Sequence, residues 1–210
     1  MTASPNSPGL LIVVEGIDGA GKSTQVRRLV AALTAAGRKV VASREPTDGP
    51  WGRKLRASAE TKRLSLDDEL HAFVEDRKQH VAELIRPALV DGAIVLLDRY
   101  YFSNMAYQGA RGADVARIRR ENEAIAPRPD MVLLVDFDPE IAVRRIRESR
   151  GDVPNEFEQL DQLRAIRKIF LDTAAADATF HIVDGSGTPE DVFAQLIAKV
   201  STLLPAFRDC

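Results

Sequence analysis

The chain has 210 residues, 45% of them hydrophobic and 29% charged, enough to bury one good core and short for two independent domains. A formal net charge of -2, from 29 basic and 31 acidic residues, carries none of the basic excess of a non-specific nucleic-acid binder. The single cysteine, Cys210, excludes an internal disulfide, and His71, His80 and His181 are too scattered to read as metal ligands.

In chain order, Met1 to Pro8 is polar and Pro-containing, with neither a basic nor an apolar run, and reads as a mobile tail rather than a signal peptide. No apolar stretch approaches the ~20 residues of a membrane span, so a cytoplasmic protein without membrane contact is expected. Short Val/Ile/Leu-rich runs follow at Leu10 to Glu15, Lys39 to Ser43, Ala93 to Leu97, Met131 to Phe137 and Thr179 to Val183, nearly continuous as in strands buried on both faces. Helical patterns lie between and after them, at Lys22 to Ala36, Ser65 to Leu89, Pro139 to Arg150, Glu156 to Ala176 and Pro189 to Leu204. Gly37 sits where a C-cap belongs, and Asp138-Pro139 and Thr188-Pro189-Glu190 are start signals. Strand and helix alternation predicts a three-layer α/β/α fold on a five-stranded parallel sheet, with residues 9–210 as one domain.

Gly16-Ile17-Asp18-Gly19-Ala20-Gly21-Lys22-Ser23, followed by Thr24, fits the pattern GxxxxGK[ST] of a phosphate-binding P-loop. A backbone that curls around a triphosphate needs glycines for its unusual φ angles, and it aims successive N–H groups and a helix N-terminus at the anion. Lys22 then places a cation on the β- and γ-oxygens, and Ser23 offers a hydroxyl to Mg²⁺. The strand before the motif and the helix after it supply the required context. A second metal-side acid belongs at the end of a neighbouring strand, where Asp98 and Asp136 both qualify by position; Asp98 is the choice.

P-loops also serve switches and motors. A kinase differs in bringing a second anion to the γ-phosphate, which calls for extra cations. Arg44 and Arg99 stand just after predicted strands, beside the loop in a parallel sheet, and Arg suits bidentate phosphate contact.

An ordered series of motifs then resembles the thymidylate kinase family: Glu15 to Thr24, Arg44-Glu45-Pro46, Phe73-Val-Glu-Asp-Arg77, Asp98-Arg99-Tyr100, Ser103-Asn104-Met105-Ala106-Tyr107-Gln108-Gly109, and Arg150-Gly151 ahead of Glu156-Phe157-Glu158. The resemblance implies a nucleoside monophosphate kinase that turns dTMP into dTDP with Mg²⁺ and ATP, and a homodimer. It places Arg44 and Arg99 on the acceptor phosphate, and Phe73 on the face of the base with Arg77 at its edge. Ser103, Asn104 and Gln108 complete the base pocket. Tyr107 lies against the deoxyribose, and Asp18 serves the acceptor sugar and the phosphate site. Glu158 is given a supporting role. The family places a catalytic basic residue in either the P-loop or a lid. Here Ile17, Asp18, Gly19 and Ala20 contain no base, so a lid over about 147–157 is expected to supply it, Arg150 first and Arg147 second. The chain departs from the family in Asn155, where an acid is frequent, and in Thr47-Asp48-Gly49, where a glycine pair is common. The rivals are a kinase of the same fold with another acceptor and a nucleotide-dependent switch, for which the Arg44, Arg77 and Arg99 set has no use.

Overall fold

The structure, a computed structural model, describes residues 9–61, 63–150 and 156–204, with side chains for all of these but 60, 149, 150 and 156–158. Five strands, β1 (Leu10–Glu15), β2 (Val40–Arg44), β3 (Ile94–Asp98), β4 (Met131–Asp136) and β5 (Phe180–Asp184), form one sheet in the order β2-β3-β1-β4-β5, and every pair is parallel. The central strands are buried along almost their whole length because helices cover both faces. At the edges, β2 has no fully buried residue and β5 buries only Phe180 and Val183. The register sets Arg44 opposite Asp98, and Val14, just before the P-loop, opposite Asp98 as well. The sequence places all five strands to within one residue at each end.

On one face α1 (Lys22–Ala35) packs against α9 (Pro189–Leu203); on the other α3 (Leu66–His80), α5 (Tyr101–Gly109) and α8 (Glu156–Ala176) pack in sequence. The predicted boundary signals act as read. Gly37 N–H bonds the Thr34 carbonyl and Arg38 N–H that of Leu33, closing α1. Thr188 and Asp191 form a reciprocal capping box with Pro189 in the first turn of α9. Asp138 accepts from Glu140 N–H at 2.7 Å where α7 (Pro139–Arg150) begins.

The long helix predicted from Ser65 to Leu89 is interrupted. A π-helical turn spans Val81–Ile85 and passes into α4 (Arg86–Val90), which carries Pro87 in its first turn. Proline has no N–H and its ring crowds the preceding turn, so the α ladder cannot run through unchanged. Three helices fall outside the predicted set: α2 (Pro50–Glu60), α5 and α6 (Val115–Glu123). All are short. In α5 nearly every residue is buried, and in α6 only Ile118 and Asn122 are, so neither shows a clear apolar stripe. Among the described residues no helix is long and apolar enough to cross a membrane.

Candidate active site

The P-loop leaves β1 at the middle of the sheet and turns into α1. Gly16 has φ 147°, and a Cβ there would lie 2.6 Å from the Val135 carbonyl oxygen, so strand β4 passes too close for any side chain. Gly21 has φ 83° and open space around it; here the backbone conformation alone selects glycine. Ile17 and Ala20 are buried beneath the loop, while Gly19, Gly21, Lys22, Ser23 and Thr24 line a cavity of about 620 Å³ with Asp18, Arg44, Arg56, Asp98 and Arg99. Lys22 is buried and donates from Nζ to the Ile17 carbonyl at 2.7 Å. Burial, with the charge of Arg99, pulls its ammonium down to about 8.

Of the two acids at strand ends, Asp98 accepts from Ser23 Oγ at 2.5 Å, whereas Asp136 is held by Arg167 through two bonds of 2.6 and 2.7 Å. That arrangement leaves Asp98, and not Asp136, beside the P-loop hydroxyl. Among the described residues no group of three or more His, Cys, Asp or Glu could hold a metal on its own.

Arg99 stands at the centre. Its backbone has φ 73°, uncommon for any residue but glycine, and its N–H bonds the Val14 carbonyl at 3.0 Å. The guanidinium donates to Asp18 at 2.6 Å, Ser103 Oγ at 2.9 Å and the Tyr107 hydroxyl at 3.2 Å, and lies 5.0 Å from the Tyr107 ring centre. Burial pushes the Tyr107 phenol up to about 12, so it remains protonated. Below Arg99, the fully buried Glu15 accepts from Tyr100 N–H, Ser103 N–H and Ser103 Oγ at 2.8, 3.1 and 2.7 Å, stitching β1 to the start of α5. Burial pushes its carboxyl up to about 7 against the opposing pull of Arg99 and those hydrogen bonds.

A second cavity, about 210 Å³, opens from the same place. Phe73, Arg77, Ser103, Asn104, Tyr107 and Gln108 line it, with Arg63, Glu69 and Tyr100. Phe73 and Arg77 are four apart and share one face of α3, as Ser103 and Tyr107 share one face of α5. Asp18, Glu45, Pro46 and Arg99 belong to both cavities. Arg44 is at the rim of the larger one, its guanidinium on Asp48 at 2.9 and 3.2 Å. Arg56 of α2 joins it there, donating to the Pro46 carbonyl at 2.9 Å and to Asp48 at 2.7 Å.

The expected residues from Asp18 to Gln108 thus gather around two connected cavities. Arg147 lies on the exposed side of α7. The side chains of Arg150 and Glu158, the lid segment 151–155 and the tail Met1 to Pro8 lie outside the described residues. Sequence reasoning missed Glu15 and Glu45 as buried anchors, although both stand in the quoted motifs. An acid directly after an apolar strand was their only signal. Arg56 and Asn122 had none, because their helices were not predicted.

The thymidylate kinase family model matches residues 14–196. A thymidylate kinase of Xanthomonas oryzae pv. oryzae (strain PXO99A) is 49% identical over 204 residues, 97% of this chain and 88% of that protein. One from Xanthomonas campestris pv. campestris (strain B100) is 48% identical over the same shares, and one from Xylella fastidiosa (strain M12) is 45% identical over 93% of this chain and 88% of its own. With the P-loop, the paired cavities and this likeness over nearly the full length, the chain belongs to the thymidylate kinase family.

Proposed function

We propose that the larger cavity holds the triphosphate of ATP, that the smaller holds the nucleoside of dTMP, and that the γ-phosphoryl passes between them where Asp18 and Arg99 border both. As a thymidylate kinase, the enzyme is an ATP-dependent phosphotransferase that makes dTDP from dTMP. The observation that carries the placement is the junction itself: the Arg99 guanidinium, bonded to Asp18, lies between a phosphate loop and a pocket lined by Phe73, Tyr100 and Tyr107 with the amides of Asn104 and Gln108. Residues 9–210 act as one kinase domain, with a lid over about 147–157.

The acceptor phosphate is ionised at neutral pH, so no strong general base is needed and positioning with charge neutralisation does the work. Gly16 to Thr24 present the backbone to the ATP phosphates, and Lys22 gives up its bond to the Ile17 carbonyl to meet the β- and γ-oxygens. The arriving anion restores the ammonium that burial disfavours. Arg44 and Arg99 hold the acceptor phosphate, and Asp18 fixes Arg99 and the sugar end. Phe73 stacks on the base, a contact worth roughly 1–3 kcal/mol. Arg77, Ser103, Asn104 and Gln108 meet its polar edge, and Tyr107 covers the deoxyribose face. Arg150, or failing it Arg147, brings the remaining positive charge, and Glu158 supports the lid. Ser23 and Asp98 are adjacent hard oxygen donors and would hold Mg²⁺. When bound, the ion offsets charge on the β- and γ-phosphates.

ADP release with ATP and a panel of nucleoside monophosphates tests the reading. Clear preference for dTMP is expected. Preference for a purine monophosphate, or nucleotide binding without acceptor-dependent ADP release, would reject it. Family likeness also supports a homodimer in the cytoplasm, and light scattering that returned the mass of one chain would refute the dimer.

A further inference from the structure

The smaller cavity lies between α3 and α5, and two side-chain links join one helix to the other beside it. At the inner end Arg77 donates to Asn104 Oδ1 at 2.7 Å. At the outer end Glu69 Oε2 accepts from Nη1 of Arg111, which stands two residues past the end of α5. From the inner link to the outer, residue numbers fall along α3 and rise along α5, so the two helices run antiparallel. Glu69, Phe73 and Arg77 are spaced by four, share one face of α3 and all line the cavity. Phe73 therefore sits midway between the links. α3 packs along α2, and α5 along α8, but α3 and α5 meet each other only briefly, so the links set their spacing here.

Glu69 is 8% exposed, uncommon for a carboxylate unless it is paired. Arg63, in the connection from α2 to α3, also donates to it, from Nη2 to Oε1 at 3.3 Å. The two arginines differ in what they join. Arg63 is half exposed and lies six residues before Glu69, so its long bond ties the chain only to its own next turn and holds little. The Arg111 side chain is 23% exposed and comes from another element. Its turn is fixed: the N–H groups of Arg111 and Ala113 both bond the Gln108 carbonyl at 3.0 Å, and Gly112 takes φ 96° to close it. Glu69 in the first turn of α3 and Arg111 beyond the C-terminus of α5 each stand at the favourable end of a helix dipole.

We propose that Glu69 and Arg111 brace the outer end of this cavity, as a pair of positioning residues that hold α3 and α5 at the separation one stacked ring requires. The inference rests on the smaller cavity being the nucleoside site, and it concerns the end away from Arg77. Arg111 does not line the cavity and acts only through Glu69, which does. At about 210 Å³ the space is small beside the ~300–1,000 Å³ of ordinary ligand pockets, so a slight parting of the helices is a large change in fit. With the outer link cut, α3 and α5 separate at that end. Phe73 then loses its close approach to a base, and the room once limited to a single ring admits two.

The experiment measures kcat and KM for dTMP, dGMP and ATP in wild type, Glu69→Gln, Arg111→Ala, their double variant and Arg63→Ala, each checked for a cooperative melt. Glu69→Gln and Arg111→Ala are each expected to raise KM for dTMP about tenfold, more than kcat falls, while KM for ATP stays put. Both should also lower the kcat/KM ratio of dTMP to dGMP. The double variant should be no worse than the more impaired single one, because either change alone already cuts the link. Arg111→Lys should recover part of the loss, and Arg63→Ala should move KM for dTMP less than Arg111→Ala does. If Glu69→Gln does not fold, Arg111→Ala and Arg111→Lys carry the same readout. Wild-type enzyme that fails on dTMP overturns the proposed nucleoside site and this inference with it. Wild-type enzyme that favours dTMP, with lower melting temperatures but an unchanged KM for dTMP in the folded variants, overturns the brace alone. Equal effects of Arg63→Ala and Arg111→Ala overturn it too, since they trace the change to the charge on Glu69 and not to the link.

Discussion

Lys22 is held where its charge is disfavoured, buried and close to Arg99, and that placement has opposite effects on catalysis and on folding. Its folded value of about 8 lies below the ordinary 10.5, so the unfolded chain binds the extra proton between those limits and stability rises with pH across them. At pH 7 the buried cation costs free energy. Lys22→Met should therefore cut turnover by about 10³-fold or more while stabilising the unliganded protein by about 1–3 kcal/mol. Steady-state kinetics and thermal melts at pH 7 check both halves. Asp48 poses a different contest. Hydrogen bonding and charge from Arg44 hold its carboxyl below the usual range, and in return it draws Arg44 and Arg56 to the rim. On the proposed placement, an acceptor phosphate would have to win Arg44 from it. Because the pairs are exposed, the gain on removing the competitor is modest: Asp48→Asn should lower KM for dTMP by about two- to fivefold with kcat little changed.

At the scale of elements, the P-loop depends on how closely β4 passes beneath it. A side chain at Gly16 would meet the Val135 carbonyl while φ stays at 147°. Gly16→Ala should destabilise the protein by about 3 kcal/mol or more, read from denaturant midpoints, and take ATP binding with it. The central strands β1, β3 and β4 were legible because burial on both faces leaves unbroken apolar runs, the edge strands β2 and β5 from shorter Val- and Ile-containing runs, and α1, α7 and α9 because caps mark their ends. The π turn before Pro87 and helices α2, α5 and α6 were not. Their conformation answers to packing, as in α5, which is buried nearly all round and carries no period to read. The same gap hid Asn122 and Arg56. That Phe73, Arg77 and Tyr107 line one cavity was legible only through ordered motifs, since an aromatic or a cation on a helix looks alike whether it faces a core or a cavity.

For the whole molecule, Glu15 couples site and stability. Its folded value of about 7 lies above the ordinary 4.5, so the native protein holds a proton that the unfolded chain releases between these limits. The contribution is complete below pH 4.5 and disappears as pH rises through 7. Glu15→Gln cannot titrate. Its stability relative to wild type should therefore improve from pH 4.5 to 8, by up to about 3 kcal/mol, in paired denaturation curves at each pH.

The strand order β2-β3-β1-β4-β5 suspends the phosphate loop from the innermost strand, with neighbours hydrogen-bonded on both sides. A nucleotide arriving there meets amides whose directions were settled when the chain folded, so little configurational freedom is surrendered at that end. The rim is the opposite case: Arg44 and Arg56 are already committed to Asp48, so on the proposed placement they would have to let go of one anion before taking hold of another.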